Sequence, residues 1–303
     1  MSATSPSGTL TRNPGPSWGM KFLRLTDRIL PEAIYRPLRF LGTGVAVLAM
    51  PAQRRHSRAY LKRILNRAPT ALDLWRHFFA FEETLMLKLR VANGLPHTAD
   101  FAPGSSDYEA WLSEGGPALL GTFHVGTSDL LGFQLGGVHH RKIHLVRQRM
   151  GNAHDTEKLA ALYGRWVKFV WVNEPGDLLF ALKDAASIPD GIIAIQCDRI
   201  ETSARTEIFE FLGERRVFPF AIYHLALIFD RPVLLSVGFA NSPTTSVLHT
   251  SSRFTALPGE SRAATLARAR VHFQDFLRQL ETLLRRDPYQ WFNYTPLNPV
   301  AAP

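Results

Sequence analysis

Hydrophobic positions recur at helical spacing from Thr70 to Arg90 (TALDLWRHFFAFEETLMLKLR), where Leu74, Phe78, Phe81, Leu85 and Leu89 line one side behind a Thr70 or Asp73 start, and this predicts an amphipathic helix. Gly94 to Gly116, with Pro96, Pro103, Gly104, Ser105 and Ser106, reads as a connection carrying a short helix near Asp107 to Leu112. Polar alternation then stops: Ala118 to Phe123 is an apolar run of strand length, the pattern of a strand buried on both faces. Further on, strand-like and helix-like segments alternate: strands at Ile143–Val146, Trp166–Val172 and Ile192–Cys197, with helices at Asp155–Tyr163 and Asp177–Ala186. Thr206–Phe211 reads as a more exposed strand, Phe220–Phe229 as a helix, Pro232–Phe239 as a strand, and Glu260 to Arg286 as a last long helix stopped near Pro288. Such alternation predicts an α/β fold with a mixed, largely parallel sheet flanked by helices, whose interior strands are Leu119–Phe123 and Ile192–Cys197.

The first buried strand delivers His124 to a turn, FHVGTSD, in which Gly126 permits a sharp bend, Thr127 or Ser128 can cap, and Asp129 to Leu135 starts a helix. On one regular helix His124 and Asp129 would stand about 140° apart, so the pair has to straddle the turn. From the first helical turn the Asp129 carboxylate can reach back to one imidazole nitrogen and leave the other to take a proton from a hydroxyl. The same two residues are equally compatible with a structural histidine and a helix-capping aspartate, and spacing alone does not separate the two.

At 303 residues and 46% hydrophobic the chain has ample material for a core. We expect residues 1–19, rich in Ser, Thr, Pro and Gly, to be a disordered tail without a signal-peptide pattern, and 20–303 to form one domain, with N-terminal amphipathic helices over 20–95 and an α/β core over 117–298. The net charge of +9 is concentrated: residues 1–100 hold 15 Lys and Arg against 6 Asp and Glu, the remainder 20 against 20. The apolar run Phe40 to Met50 is too short to cross a bilayer, which takes about 20 residues, so we expect a buried, re-entrant or interfacial segment. The next stretch, Gln53 to Asn66, sets Tyr60, Leu61, Ile64 and Leu65 to one side and basic residues elsewhere, compatible with lying on a membrane or with an ordinary solvated face. Nucleic acid is the least favoured partner, since no recognition motif accompanies the charge.

The single Cys197 precludes an internal disulfide and reads as a buried strand residue. The chain contains no G-x-S-x-G elbow, phosphate loop or G-x-G-x-x-G fingerprint, so serine-hydrolase, NTPase and dinucleotide chemistries lack their motifs. His139, His140, His144 and His154 match no metal-ligand spacing, and we expect no metal. Arg147, Asp198 and Arg199 follow strand-like segments, where open α/β sheets place a ligand crevice; they suit either an anion site or an ion-pair network.

FHVGTSD resembles the His-x4-Asp/Glu motif of the bacterial lysophospholipid acyltransferase superfamily, in the branch of the lipid A biosynthesis late acyltransferases. Further segments follow in order: LVRQRMGNA at Arg147, CDRI at Cys197–Ile200, ARTEIFEFLGERRVFPFAIYHLA, and the closing PYQWFNY, together spanning Leu30 to Asn298. The closing segment is most similar to an uncharacterised branch, and Asp129 stands where many relatives carry Glu. The resemblance implies a glycerolipid acyltransferase-like fold and an O-acyltransferase without a cofactor, in which an acyl group passes from acyl carrier protein or coenzyme A to a hydroxyl of a lipid or glycolipid. It implies His124 as general base and Asp129 as its orienting partner. From their positions we take Arg147, Asp198, Arg199, Arg205 and Arg216 as substrate-binding candidates: Arg147 and Arg199 for a phosphate or thioester-derived oxyanion, Asp198 to hold one of them, and Arg205 and Arg216 for an acidic head group. From the N-terminal charge and amphipathic stretches we expect a peripheral or monotopic protein at the cytoplasmic face of the inner membrane. The alternatives are a thioester hydrolase using the same pair and a non-catalytic peripheral lipid-binding protein.

Overall fold

The structure, a computed structural model, describes residues 25–148, 164, 166–172, 178–203 and 205–301. The expected tail over 1–19, the helix over 155–163, the Arg149–Ala153 part of the Arg147 segment, His154 and Asp177 lie outside the described residues.

After a helical stretch over 25–29 come three helices: α1 Glu32–Ala49, α2 Pro51–Ile64 and α3 Ala71–Ala92. Helix α3 starts at a capping box in which Thr70 Oγ1 accepts from Asp73 N while the Asp73 carboxylate accepts from Thr70 N, two otherwise orphaned donors satisfied at once. After β1 Thr98–Phe101 and α4 Ser106–Glu114 come β2 Ala118–Gly126, β3 Ile143–Arg147, β4 Val167–Trp171, α5 Leu178–Ala186 and β5 Ile192–Gln196. A hairpin, β6 Thr206–Phe211 and β7 Glu214–Pro219, precedes α6 Ala221–Phe229, β8 Val233–Ala240, β9 Thr245–Thr250 and α7 Arg262–Arg286.

The main sheet has seven strands in the order β1-β9-β8-β2-β5-β3-β4. Strands β8, β2, β5, β3 and β4 run parallel, and β9 joins β8 antiparallel with β1 parallel to β9. The fold is therefore mixed α/β with a largely parallel sheet, and β2 and β5 are interior strands as their apolar runs predict. Their side chains alternate between faces. Leu119, Phe123, Ile193 and Ile195 enter a core with Leu61 and Leu74 from α2 and α3 and Phe273 and Leu277 from α7. Ala118, Leu120, Ile192 and Ala194 pack under Tyr108 and Trp111 of α4 on the other side.

The segment Thr206–Phe211 is the partly exposed strand expected; it stands outside the main sheet and pairs antiparallel with β7. Three local expectations are revised. The stretch containing Arg216, FLGERRVFP, is loop-like in sequence but forms that partner strand, because Leu212 and Gly213 both take positive φ (55° and 75°), the backbone of a tight hairpin turn. Strand β1 falls inside what reads as an irregular connection; Thr98–Phe101 alternates, but over only four residues, too few to stand out as a strand among the flanking Pro and Gly positions, and its pairing with β9 is a tertiary outcome. Of the options for Phe40–Met50, burial is excluded: Leu41, Val45 and Leu48 are exposed on α1. Helix α1 packs its polar side inward instead, with Arg39 buried against Glu32 and Glu82 at 2.7 Å each. Among the described residues no helix is long and apolar enough to cross a membrane.

Candidate active site

Strand β2 pairs with β8 in register up to Thr122↔Ser236, loses that register, and meets β8 again at Gly126↔Gly238. Its pairing with β5 also ends at Thr122. A local irregularity of this kind re-aims a strand's side chains, and here it releases the backbone around His124 to other partners. The His124 N–H donates to Asp198 Oδ2 at 2.8 Å. The His124 carbonyl accepts from Phe292 N at 2.8 Å, and Gly126 N donates to the Gln290 carbonyl at 2.8 Å. The closing segment Pro288–Tyr294 thus replaces β8 along the last residues of β2, with an antiparallel bridge at Val125↔Trp291. Gly126 is required where the chain turns: its φ is +46°, and a Cβ there would stand 2.3 Å from the Gly238 carbonyl oxygen.

The imidazole is held by Asp198 and not, as expected, by Asp129. His124 Nδ1 lies 2.8 Å from Asp198 Oδ1, while Asp198 Oδ2 accepts from both His124 N and Trp291 Nε1, the latter at 3.0 Å. Arg199 Nε stands 3.2 Å from the same Nδ1. One nitrogen cannot donate to a carboxylate and accept from a guanidinium together. The shorter contact to a buried carboxylate prevails, so Nδ1 carries the proton, Nε2 presents its lone pair, and Arg199 acts through its charge. Burial would push the Asp198 carboxyl up, but the charges of His124 and Arg199 with the bonds from His124 and Trp291 outweigh it and hold it down to about 2. Among the described residues no group bonds Nε2, and the His124 side chain is 22% exposed.

Asp129 lies in the 3₁₀ turn Ser128–Leu130, which continues into a single α-turn, Leu131–Phe133, and a π-turn, Gln134–Val138, in place of the regular helix expected there. The turn is fixed from behind: Ser128 Oγ donates to the Val125 carbonyl at 2.5 Å and accepts from Gly238 N at 3.0 Å. This geometry sends Asp129 toward α3, where its Oδ2 meets Lys88 Nζ at 2.5 Å. Desolvation by the surrounding walls raises the Asp129 carboxyl, and the charges of Lys88, Arg147 and His124 more than reverse this, holding it well below the usual carboxylate range. Asp129 therefore belongs to the site as a charge near the imidazole.

Arg147 ends β3, two strands from β2 at the same edge of the sheet, with its guanidinium over the Phe169 ring at 5.8 Å. Arg216 and Arg205 are placed elsewhere. The Arg216 guanidinium is buried, ion-paired with Glu214 and donating to the Asn298 carbonyl at 2.5 Å. Arg205 is exposed at the start of β6, its carbonyl accepting from Phe220 N at 2.8 Å. Among the described residues neither contacts the His124 group. Cys197 is buried and its thiol is pushed up by burial and by Asp198, so it is no nucleophile. His140 lies against the Trp166 ring and His144 is buried in β3.

Three contributors have no local sequence signal: Lys88, Trp291 and the helix pair that supports Trp291. His77 Nε2 donates to the Trp291 carbonyl at 2.8 Å, and its Nδ1 accepts from Ser57 Oγ at 2.7 Å. Burial drives His77 down to about 4, with the Trp291 carbonyl opposing, so its ring is neutral. Tyr294 stacks on His77 and Tyr60 meets Trp291 edge-on. The spacing of PYQWFNY marks it as a matched segment, but only the fold shows that its indole holds the aspartate.

Fold and site together define an α/β protein with a histidine–aspartate pair at the carboxyl edge of parallel strands, flanked by Arg147, Arg199 and Lys88. In comparisons with known proteins, no family model matches the chain and no curated protein is detectably similar to it.

Proposed function

We propose that the protein is an O-acyltransferase that moves a fatty acyl group from a thioester, of acyl carrier protein or coenzyme A, to a hydroxyl of a lipid or glycolipid. The observation that carries this reading is the His124–Asp198 pair, which fixes Nδ1–H and leaves Nε2 unbonded and the ring partly exposed, with Arg199 beside it. The ordered motifs that resemble the late acyltransferase branch add the reaction class. In this mechanism Nε2 takes the proton of the acceptor hydroxyl as its oxygen attacks the thioester carbonyl. Asp198 stabilises the imidazolium; Arg199 and Arg147 offer positive charge to the tetrahedral oxyanion or to an anionic group of the substrate. The intermediate then collapses, the C–S bond breaks, and the departing thiolate receives the proton from Nε2.

The proposed site of action is the cytoplasmic face of the inner membrane, with anionic lipid as the surface bound. Leu38, Leu41, Val45 and Leu48 form an outward apolar row on α1, 51 to 75% exposed. Neighbouring α2 exposes Arg55, Arg58 and Lys62, a charge complement for acidic headgroups.

The experiment is product analysis with a labelled acyl thioester, offered on both carriers, and a lipid-extract acceptor. Labelled acyl-lipid that disappears in His124→Ala supports the reading. Free fatty acid alone identifies a thioester hydrolase, and binding without product a lipid-binding protein; either result overturns it.

A further inference from the structure

Lys88 is one of three Lys and Arg residues on the amphipathic helix α3, 41 positions before Asp129, and its Nζ bonds the Asp129 carboxylate at 2.5 Å with 17% of its side chain exposed. We propose that Lys88 is a positioning residue for His124: it keeps Asp129 off the imidazole, leaves Nδ1 to Asp198, and balances the charge that Asp129 exerts on the ring. The inference rests on the reading of His124 as the base, and the geometry supplies its parts. Asp129 lies in the turn that follows His124 and interacts with its charge, so an unpaired carboxylate there would offer the ring a second acceptor and more than one orientation. Lys88 removes that competition by a charge-assisted bond, stronger than a neutral one, between a largely covered ammonium and a carboxylate 43% exposed. Lys88 comes from α3, which is anchored at its start by the Thr70–Asp73 box and at His77 by the closing segment. The same helix thus supports the Asp198 side of the ring, through Trp291, and the Asp129 side, through Lys88.

His124 contacts Asp198 and Arg199 after β5 and interacts with the Asp129 charge in its own turn, on which Lys88 from α3 and Arg147 from the end of β3 also act; the closing segment contributes the uncharged Trp291 indole and the Phe292 backbone. With Lys88 in place the Asp129 charge is offset, and without it the imidazole faces an unbalanced carboxylate. A cation and an anion removed singly should therefore move the histidine in opposite directions, and removed together should nearly cancel. A purely structural lysine produces no such signature.

The test reads the imidazole directly, by NMR titration of histidine-labelled protein, with the His124 signal identified by its loss in His124→Asn. In Lys88→Met the titration midpoint of His124 rises by about one pH unit, the order of effect of losing a nearby unit charge at an effective dielectric near 20. It falls by a similar amount in Asp129→Asn, returns close to its starting value in the double variant, and holds in Lys88→Arg. Lys88→Gln, neutral but polar, is titrated in parallel and replaces Lys88→Met should that variant not fold. An unmoved midpoint in the folded neutral variants, or a double variant that keeps the full Lys88→Met shift, overturns the proposal. The titration needs no substrate, so an absence of acyl transfer would refute the enzymatic reading while leaving the charge balance to be judged on these midpoints.

Discussion

Replacing Asp198 with asparagine discriminates between an aspartate that merely fills space and one that sets the tautomer of His124. Three donors converge on its carboxylate: His124 N and Trp291 Nε1 on Oδ2, and His124 Nδ1 on Oδ1. Asparagine offers one oxygen and one NH2 group. Turned to keep its oxygen under the two fixed donors, it points NH2 at Nδ1, which must then accept; the ring proton moves to Nε2 and the base is lost. Turned the other way, NH2 confronts both the His124 and Trp291 donors and leaves buried groups unsatisfied, each at roughly 1–3 kcal/mol. The first orientation wins, so Asp198→Asn folds with the wrong tautomer. In a serine-protease triad the equivalent change costs about 10⁴-fold in turnover, and we expect a loss of about 10³- to 10⁴-fold, roughly 4–5 kcal/mol of barrier. The assay is acyl-transfer kinetics on folded protein, with nitrogen chemical shifts of His124 reporting which nitrogen carries the proton. Turnover within tenfold of the unsubstituted protein, or an unchanged tautomer, would refute the assignment of Asp198.

Other outcomes follow from the same geometry. His124→Ala lowers the transfer rate by about 10²- to 10⁴-fold while substrate binding largely survives, and combining it with Asp198→Asn costs far less than the product of the two losses; a multiplicative double variant would show that the residues act separately. Gly126→Ala loses more than about 2 kcal/mol of stability in denaturant unfolding, since a left-handed backbone and the Gly238 carbonyl both oppose a Cβ. His77 is neutral when folded and has its affinity for protons lowered to about 4, so the stability it contributes is complete above the unfolded value near 6.5 and is lost as pH falls from there toward 4, by up to about 3 kcal/mol; His77→Gln flattens that slope, and an unaltered pH–stability curve would contradict the buried neutral ring. Leu41→Glu with Val45→Glu abolishes binding to anionic vesicles and added salt weakens it in the unsubstituted protein, whereas retained binding in the folded double variant would remove α1 from the interface.

The sequence by itself determined the elements whose burial is uniform. Strands β2 and β5 are legible because helices cover both faces of the sheet, so their central positions must be apolar, and α3 is legible because its cap and helical spacing agree, although Phe81 of the expected stripe is exposed. It also placed His124 at the mouth of a turn, since a Gly126 that admits positive φ and a buried strand before it leave few other conformations. It could not decide which carboxylate holds the ring. Asp129 is near in the chain, and its competitor Asp198 is 74 residues away; their ranking depends on β5 lying beside β2 and on both ending at the same level, a property of strand order that no local pattern encodes. Trp291 and Lys88 were beyond reach for the same reason, as each acts through one long-range contact to a carboxylate and leaves no periodic trace. The inward polar face of α1 inverts the usual rule, because Arg39 finds two glutamates within the fold and the apolar row is left outside. Periodicity reveals that a helix has two faces; only packing decides which of them turns to the protein.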